Sequence, residues 1–173
     1  VTDEHGCIWA GTDAGLVRCR FSDGTKEIRT IGVEEGLPDE IVTALCMYAP
    51  GTLMLGTHQQ GVVSYSIDEG EFESLTPELR DDPINALASD GNELWIGSEK
   101  HELSAFDGSE LQQVSLYHQS IERINDLMID DEKNLWILTE TPEWWIGNLW
   151  FRHLRTPFKN VQAIHADRQS LWL

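Results

Sequence analysis

Five segments of this chain repeat one short pattern roughly every forty residues, and such a period confines it to architectures built from one recurring unit. They read G-C-I-W-A-G-T at 6–12, G-T-L-M-L-G-T at 51–57, N-E-L-W-I-G-S at 92–98, K-N-L-W-I-L-T at 133–139 and Q-S-L-W-L from Gln169. The anchor positions are Trp9, Met54, Trp95, Trp136 and Trp172, spaced by 45, 41, 41 and 36 residues. Four of the seven tryptophans sit on this one position, so the largest side chains in the chain carry the register.

Each anchor brings the same neighbours. Upstream lies an apolar run: I-V-T-A-L-C-M-Y from Ile41, I-N-A-L-A-S-D from Ile84, I-N-D-L-M-I-D from Ile124 and V-Q-A-I-H-A-D from Val161. Downstream, a short gap leads to G-L-V-R-C from Gly15, G-V-V-S-Y-S from Gly61, E-L-S-A-F from Glu102 and G-N-L-W-F from Gly147. A weaker fourth segment follows in the earlier units, K-E-I-R-T-I from Lys26, F-E-S-L from Phe72 and L-Q-Q-V-S-L from Leu111. Short apolar runs separated by Gly, Asp, Asn and Pro read as strands, and four strands per unit make a propeller blade. No apolar stripe at helical spacing persists, and Pro77 to Asp82 leaves room for a helical turn at most.

The expected fold is therefore all-β, a β-propeller fragment of about four blades of four antiparallel strands. The blade pieces fall at about 1–33, 41–75, 84–115, 124–158 and 161–173, the first without its inner strand. Such a fragment is not expected to close into a ring by itself, and the chain reads as a piece of a longer protein. Blades pack face to face, so central strands are covered on both sides and run almost continuously apolar. Trp9, Trp95 and Trp136 are expected on equivalent second-strand positions, mostly buried in the wedge between blades. The Gly two residues on keeps the sheet thin where the next blade approaches. Thr12, Thr57, Ser98 and Thr139 each place a hydroxyl where it can bond backbone at the strand end.

The pattern apolar-x-x-D-x-x-G-x-L-W-I-G-T-x-x-G-L, recurring through the chain, resembles the two-component regulator propeller repeat. The link Gly36-Leu37-Pro38-Asp39-Glu40-Ile41-Val42 matches that family's G-L-P-x-x-x-V connection between blades. The departures are Met54 for Trp, Leu138 for Gly, Ser98 for Thr, Glu102 where Gly opens the next strand, and a longer excursion from Glu140 to Ile146. The resemblance implies a periplasmic sensing region of a membrane-bound regulator, commonly a hybrid histidine kinase, and many such regions respond to oligosaccharides. It implies a small-molecule or oligosaccharide ligand, a non-enzymatic chain, a kinase and membrane segments outside it, and a homodimer formed through the parent protein. A protein-interaction scaffold is the alternative, and a propeller lyase or hydrolase is a third reading.

Composition narrows the partners. Thirty acidic residues against twelve basic ones give a formal charge of −18, a field that repels nucleic-acid phosphates and anionic headgroups. No nucleic acid partner is expected. The first residues show neither a basic start nor an apolar stretch, so no signal peptide is read there. Cys7, Cys19 and Cys46 lack metal-ligand spacing. With Thr12 facing Gly15 across a tight turn, Cys19 lies opposite Ile8, and the sulfurs of Cys7 and Cys19 fall on opposite sheet faces.

No nucleophile elbow, zinc-protease helix or phosphate-binding loop occurs, and no cofactor or metal is expected. Histidines stand at 5, 58, 101, 118, 153 and 165, best read as surface or packing residues. In propellers the links between blades and the loops between second and third strands emerge on one face. Here these are Gly36 to Glu40, His58 to Gln60, Glu99 to His101 and Glu140 to Ile146. The candidate ligand-binding residues are accordingly His58, Gln59, His101, Glu143, Trp144 and Trp145. For the two adjacent tryptophans, two readings stand. In an irregular loop an indole beside Glu140 and Glu143 suits a sugar ring; alternatively, both tryptophans extend a strand and fill the space left by Leu138.

Overall fold

The structure, a computed structural model, describes residues 1–22, 24–114, 123–140, 143–147, 152–155, 165–166 and 171–172, with side chains up to Glu140. The chain divides into two compact units, Val1–Ile84 and Asn85–Leu173.

Every described sheet is antiparallel and runs in chain order, as a β-propeller fragment requires. The first holds β1 (Ile8–Thr12), β2 (Gly15–Ser22) and β3 (Thr25–Ile31). The second holds β4 (Val42–Ala49), β5 (Thr52–Thr57), β6 (Val62–Ser66) and β7 (Glu71–Ser74). The third is β8 (Ile84–Ser89), β9 (Leu94–Ser98), β10 (Leu103–Phe106) and β11 (Leu111–Gln113). The fourth is β12 (Ile124–Ile129), β13 (Leu135–Thr139), β14 (Glu143–Gly147) and β15 (Arg152–Arg155). β16 (His165–Ala166) pairs with β17 (Leu171–Trp172). Single 3-10 turns form at Pro77–Leu79, where the sequence allows one, and at Val33–Glu35, where the pattern gives no sign of one. Among the described residues no helix is long and apolar enough to cross a membrane.

All five anchors sit on equivalent strands, β1, β5, β9, β13 and β17. Their burial is unequal. Trp9 is 1% exposed and Met54 4%, whereas Trp95 and Trp136, packed against their neighbouring core residues, are covered less completely. Trp9 is covered edge-on by Tyr65 of β6, with ring centroids 5.8 Å apart. Tyr65 pairs with Leu53, and the residue pairing with the equivalent Leu135 in the fourth sheet is Gly147. A glycine at that register offers Trp95 no ring to cover it.

The repeat glycines behave as their spacing suggests. A Cβ built on Gly11 would lie 2.6 Å from Val42 Cγ1, one on Gly56 2.6 Å from Ile84 Cγ2, and one on Gly97 2.7 Å from Ile124 Cγ2. In each case the glycine faces the first residue of the next inner strand, Val42, Ile84 or Ile124. At the strand ends Thr12 and Thr57 donate their hydroxyls to the carbonyls of Gly15 and Gly61 at 2.8 Å, while Ser98 Oγ accepts the His101 N–H. Glu102, standing where Gly15 and Gly61 open their strands, adopts the same left-handed backbone at φ 55°. The β1–β2 register sets Thr12 against Gly15 and Ile8 against Cys19, and all three cysteines are free.

One repeat residue has a role that its spacing did not disclose. The Trp9 indole Nε1 donates to Asp3 Oδ2 at 2.7 Å, and Trp136 Nε1 donates to Asp130 Oδ2 at 2.7 Å. Each aspartate lies six residues before its tryptophan and also ties the connecting turn, Asp3 Oδ1 accepting Cys7 N and Asp130 Oδ1 accepting Asn134 N. Where Met54 replaces Trp, Tyr48 holds the corresponding position and no indole is present to need a carboxylate.

Burial by itself would raise the pKa of both carboxyls. The indole and the surrounding backbone N–H groups outweigh it, and both lie below the usual carboxylate range. A carboxyl depressed in the folded state contributes stability above its unfolded pKa and loses it as pH falls through the folded value. Denaturant midpoints are therefore expected to drop as pH is lowered from about 4, the ordinary aspartate pKa. Asp3→Asn and Asp130→Asn should be less stable than wild type at neutral pH and converge on it in acid. Parallel pH profiles for all three proteins would exclude this role.

Candidate functional site

In the first unit the loop residues expected on one face do converge. The link at 36–41 turns at Gly36, whose φ of 98° suits glycine, and is pinned by buried Leu37. Asp39 then reaches the β5–β6 loop. Its Oδ2 accepts the Gln59 N–H at 2.6 Å, while Oδ1 accepts Ile41 N–H at 3.1 Å. His58 N donates to Ile41 O, and Asp81 N donates to Gln59 O at 2.8 Å, so segments 36–41, 58–60 and 80–81 form one cluster. His58 and Gln59 are exposed, fixed through their backbone amides with their side chains at the surface. Such a loop can present an imidazole and an amide to a polar ligand without first ordering its chain.

The second unit builds an analogous cluster. His101, half-buried in the β9–β10 loop, donates its amide to Ser98 Oγ at 3.2 Å, and its carbonyl accepts Gln113 Nε2 at 3.3 Å. Arg123, just before β12, accepts the Glu140 N–H on its carbonyl at 3.0 Å. Its guanidinium lies 3.9 Å from Glu99 Oε1, an exposed pair that contributes little stability but sets a cation among carboxylates. Arg123 occupies the position before the inner strand that Ile41 holds in the first unit. That correspondence is the signal that would have singled it out; Asp39 stood in the link motif without a stated role.

His58 belongs to the first unit and His101 to the second. Among the described residues no group of three or more His, Cys, Asp or Glu converges on a common metal position. The excursion after Thr139 is shorter than its sequence suggests. Glu143–Gly147 is strand β14, with Trp144 opposite Leu138 and Trp145 opposite Ile137. The backbone thus takes the strand alternative, while the side chains of Glu143, Trp144 and Trp145 lie outside the described residues.

No family model matches the chain, and no curated protein matches it. Solved structures do. The extracellular domain assigned to a hybrid two component system of B. thetaiotaomicron aligns with a TM-score of 0.77 at 16% identity, over 99% of this chain and 24% of that one. A second such domain from the same organism aligns with a TM-score of 0.69 at 20% identity, over 92% of this chain and 22% of that one. Virginiamycin B lyase from Staphylococcus aureus aligns with a TM-score of 0.76 at 12% identity, over 99% of this chain and 60% of the lyase. The chain thus spans less than a quarter of the two-component domains it matches. What it shares with all three is the β-propeller fold, and the two-component extracellular domains among them agree with the family its repeats resemble.

Proposed function

We propose that this chain is part of the ligand-sensing, extracytoplasmic propeller of a bacterial two-component regulator, binding a small molecule or oligosaccharide and signalling to an output domain outside the chain. The observation that carries this reading is the agreement between the repeat motif and the structural likeness to two-component extracellular domains. The loop clusters support it: the Asp39-braced His58–Gln59 loop and the Glu99–His101–Arg123–Glu140 group place amide, imidazole, guanidinium and carboxylate groups at strand ends. Glu143, Trp144 and Trp145 follow Glu140 after two intervening residues in the sequence, and the tryptophans would add indole surface for the apolar face of a sugar ring.

Tryptophan fluorescence during titration with candidate oligosaccharides tests this. A saturable change is expected in wild type, weakened in the His58→Ala, Trp144→Ala or Trp145→Ala variants. Undiminished affinity in all three folded variants, for a saccharide that binds, would remove these loops from the site.

The lyase likeness favours a second reading, a propeller enzyme. A histidine-to-alanine variant of that lyase is catalytically inactive. Were this chain a lyase, turnover of a bound ligand would be detected by mass spectrometry and abolished in His58→Ala or His101→Ala. Sensing predicts that the ligand is recovered intact.

A further inference from the structure

A cleft of about 440 Å³ opens in the first unit, between the β2–β3 hairpin and the end of β6. Its walls are chemically opposed. One carries Arg18 and Arg29, which stand directly opposite each other across β2 and β3. The other carries Asp68 and Glu69 from the β6–β7 turn, and the floor is Trp9 and Tyr65.

Like charges facing each other across a strand pair are destabilising. In this chain they are also improbable, since only twelve basic residues accompany thirty acidic ones. Four of those twelve, Arg18, Arg20, Lys26 and Arg29, nevertheless fall on this one hairpin. Arg18 is held in place by its environment: the guanidinium lies 5.4 Å from the Trp9 ring centroid, and Nη2 donates to Cys7 Sγ at 3.3 Å. Its Nε is enclosed without a hydrogen-bond partner. Among the described residues, Arg18, Arg29, Asp68 and Glu69 form no ion pair, so the two walls hold their charges apart. Burial raises the Tyr65 hydroxyl pKa while Arg29 and Arg18 oppose the rise, which puts both guanidinium fields on the cleft floor. A third carboxylate at the rim, Glu35, is already engaged, accepting the Gly32 N–H at 2.9 Å.

We infer that this cleft is a binding site for a small zwitterion, an α-amino acid or short peptide, with its carboxylate on Arg18 and Arg29 and its ammonium on Asp68 and Glu69. A guanidinium pair matches a carboxylate in both charge and donor geometry. A zwitterion also suits the −18 field, which opposes a free anion but leaves a neutral dipolar ligand unopposed. The volume falls in the range of small-molecule sites, roughly 300–1,000 Å³. The cleft shares no residue with the loop clusters at the strand ends, and its test does not use their ligand.

Calorimetry with the standard amino acids and glycylglycine as probes, beside matching hydroxy acids such as lactate that lack the ammonium, reads the proposal directly. At least one zwitterion should bind. Its matching hydroxy acid, and the Arg29→Ala and Asp68→Asn variants, should each lose about tenfold or more in affinity. Arg29 and Asp68 are exposed, so both variants should keep the wild-type melting temperature. Trp144→Ala should bind the zwitterion as wild type does, which separates this site from a failed saccharide site. No binding across the probe set, equal binding of the hydroxy acid, or wild-type affinity in both charge variants would each overturn the inference.

Discussion

Trp9→Ala is expected to destabilise the first unit by about 3–5 kcal/mol, whereas Trp95→Ala and Trp136→Ala should each cost the second unit about 1–3 kcal/mol. The three occupy the same repeat position, so the difference lies in what surrounds them. Trp9 is 1% exposed and meets Tyr65 edge-on, Arg18 over its face and Asp3 at its N–H. Truncation opens a cavity under Tyr65, uncovers Arg18, and strips a buried carboxylate of its shortest hydrogen bond. Trp9→Phe separates these contributions. It keeps most of the ring and removes the donor, at an expected cost of about 1–3 kcal/mol. Chemical denaturation of the four variants beside wild type would decide the matter. Equal losses at all three tryptophans would show that the closer surroundings of Trp9 do not set its contribution to stability.

Most of the architecture was legible because a repeat tests itself. The runs beginning at Ile41, Ile84 and Ile124 become inner strands, and the Thr12–Gly15 turn fixes the register that keeps Cys7 and Cys19 apart. What escaped notice are relations between positions rather than residue types. Asp3 and Asp130 stand in plain view before their tryptophans. Their hydrogen bonds to the indoles emerge only once the turn folds the carboxylate back over the strand. Gly147 stands in the fourth sheet at the register that Tyr65 holds in the second, fifty-two positions after Trp95, a correspondence visible only when two strands are set in register. The candidate site was legible as a set of loops, since loop placement follows strand order. Its bracing by Asp39 and Arg123 was not, because neither residue type advertises a backbone partner in another segment. The arginine cleft was hidden for the same reason: Arg18 and Arg29 are eleven residues apart in sequence and adjacent in the sheet.

Gly97→Ala is expected to cost about 1–3 kcal/mol, and the loss should be strongly coupled to Ile124. The added methyl would meet Ile124 Cγ2 at 2.7 Å, closer than real side chains approach, and its Cβ at a tight 3.1 Å. No positive φ is involved at Gly97, so the penalty is steric rather than conformational. Ile124→Ala alone should cost about 2–5 kcal/mol, because Ile124 is fully buried and leaves a cavity. In the double variant the new methyl enters the space that the isoleucine vacates, so the combined loss should fall short of the sum by about 1–2 kcal/mol. The equivalent pair in the first unit provides the contrast. A methyl on Gly11 meets Val42 Cγ1 at 2.6 Å but also the Val42 carbonyl oxygen at 2.8 Å. Shortening Val42 removes the first obstacle and leaves the second, which belongs to the backbone. Gly11→Ala with Val42→Ala should therefore recover much less than Gly97→Ala with Ile124→Ala. Two denaturant cycles measure both couplings, and equal values would mean that the glycine spares side-chain space alone in each blade.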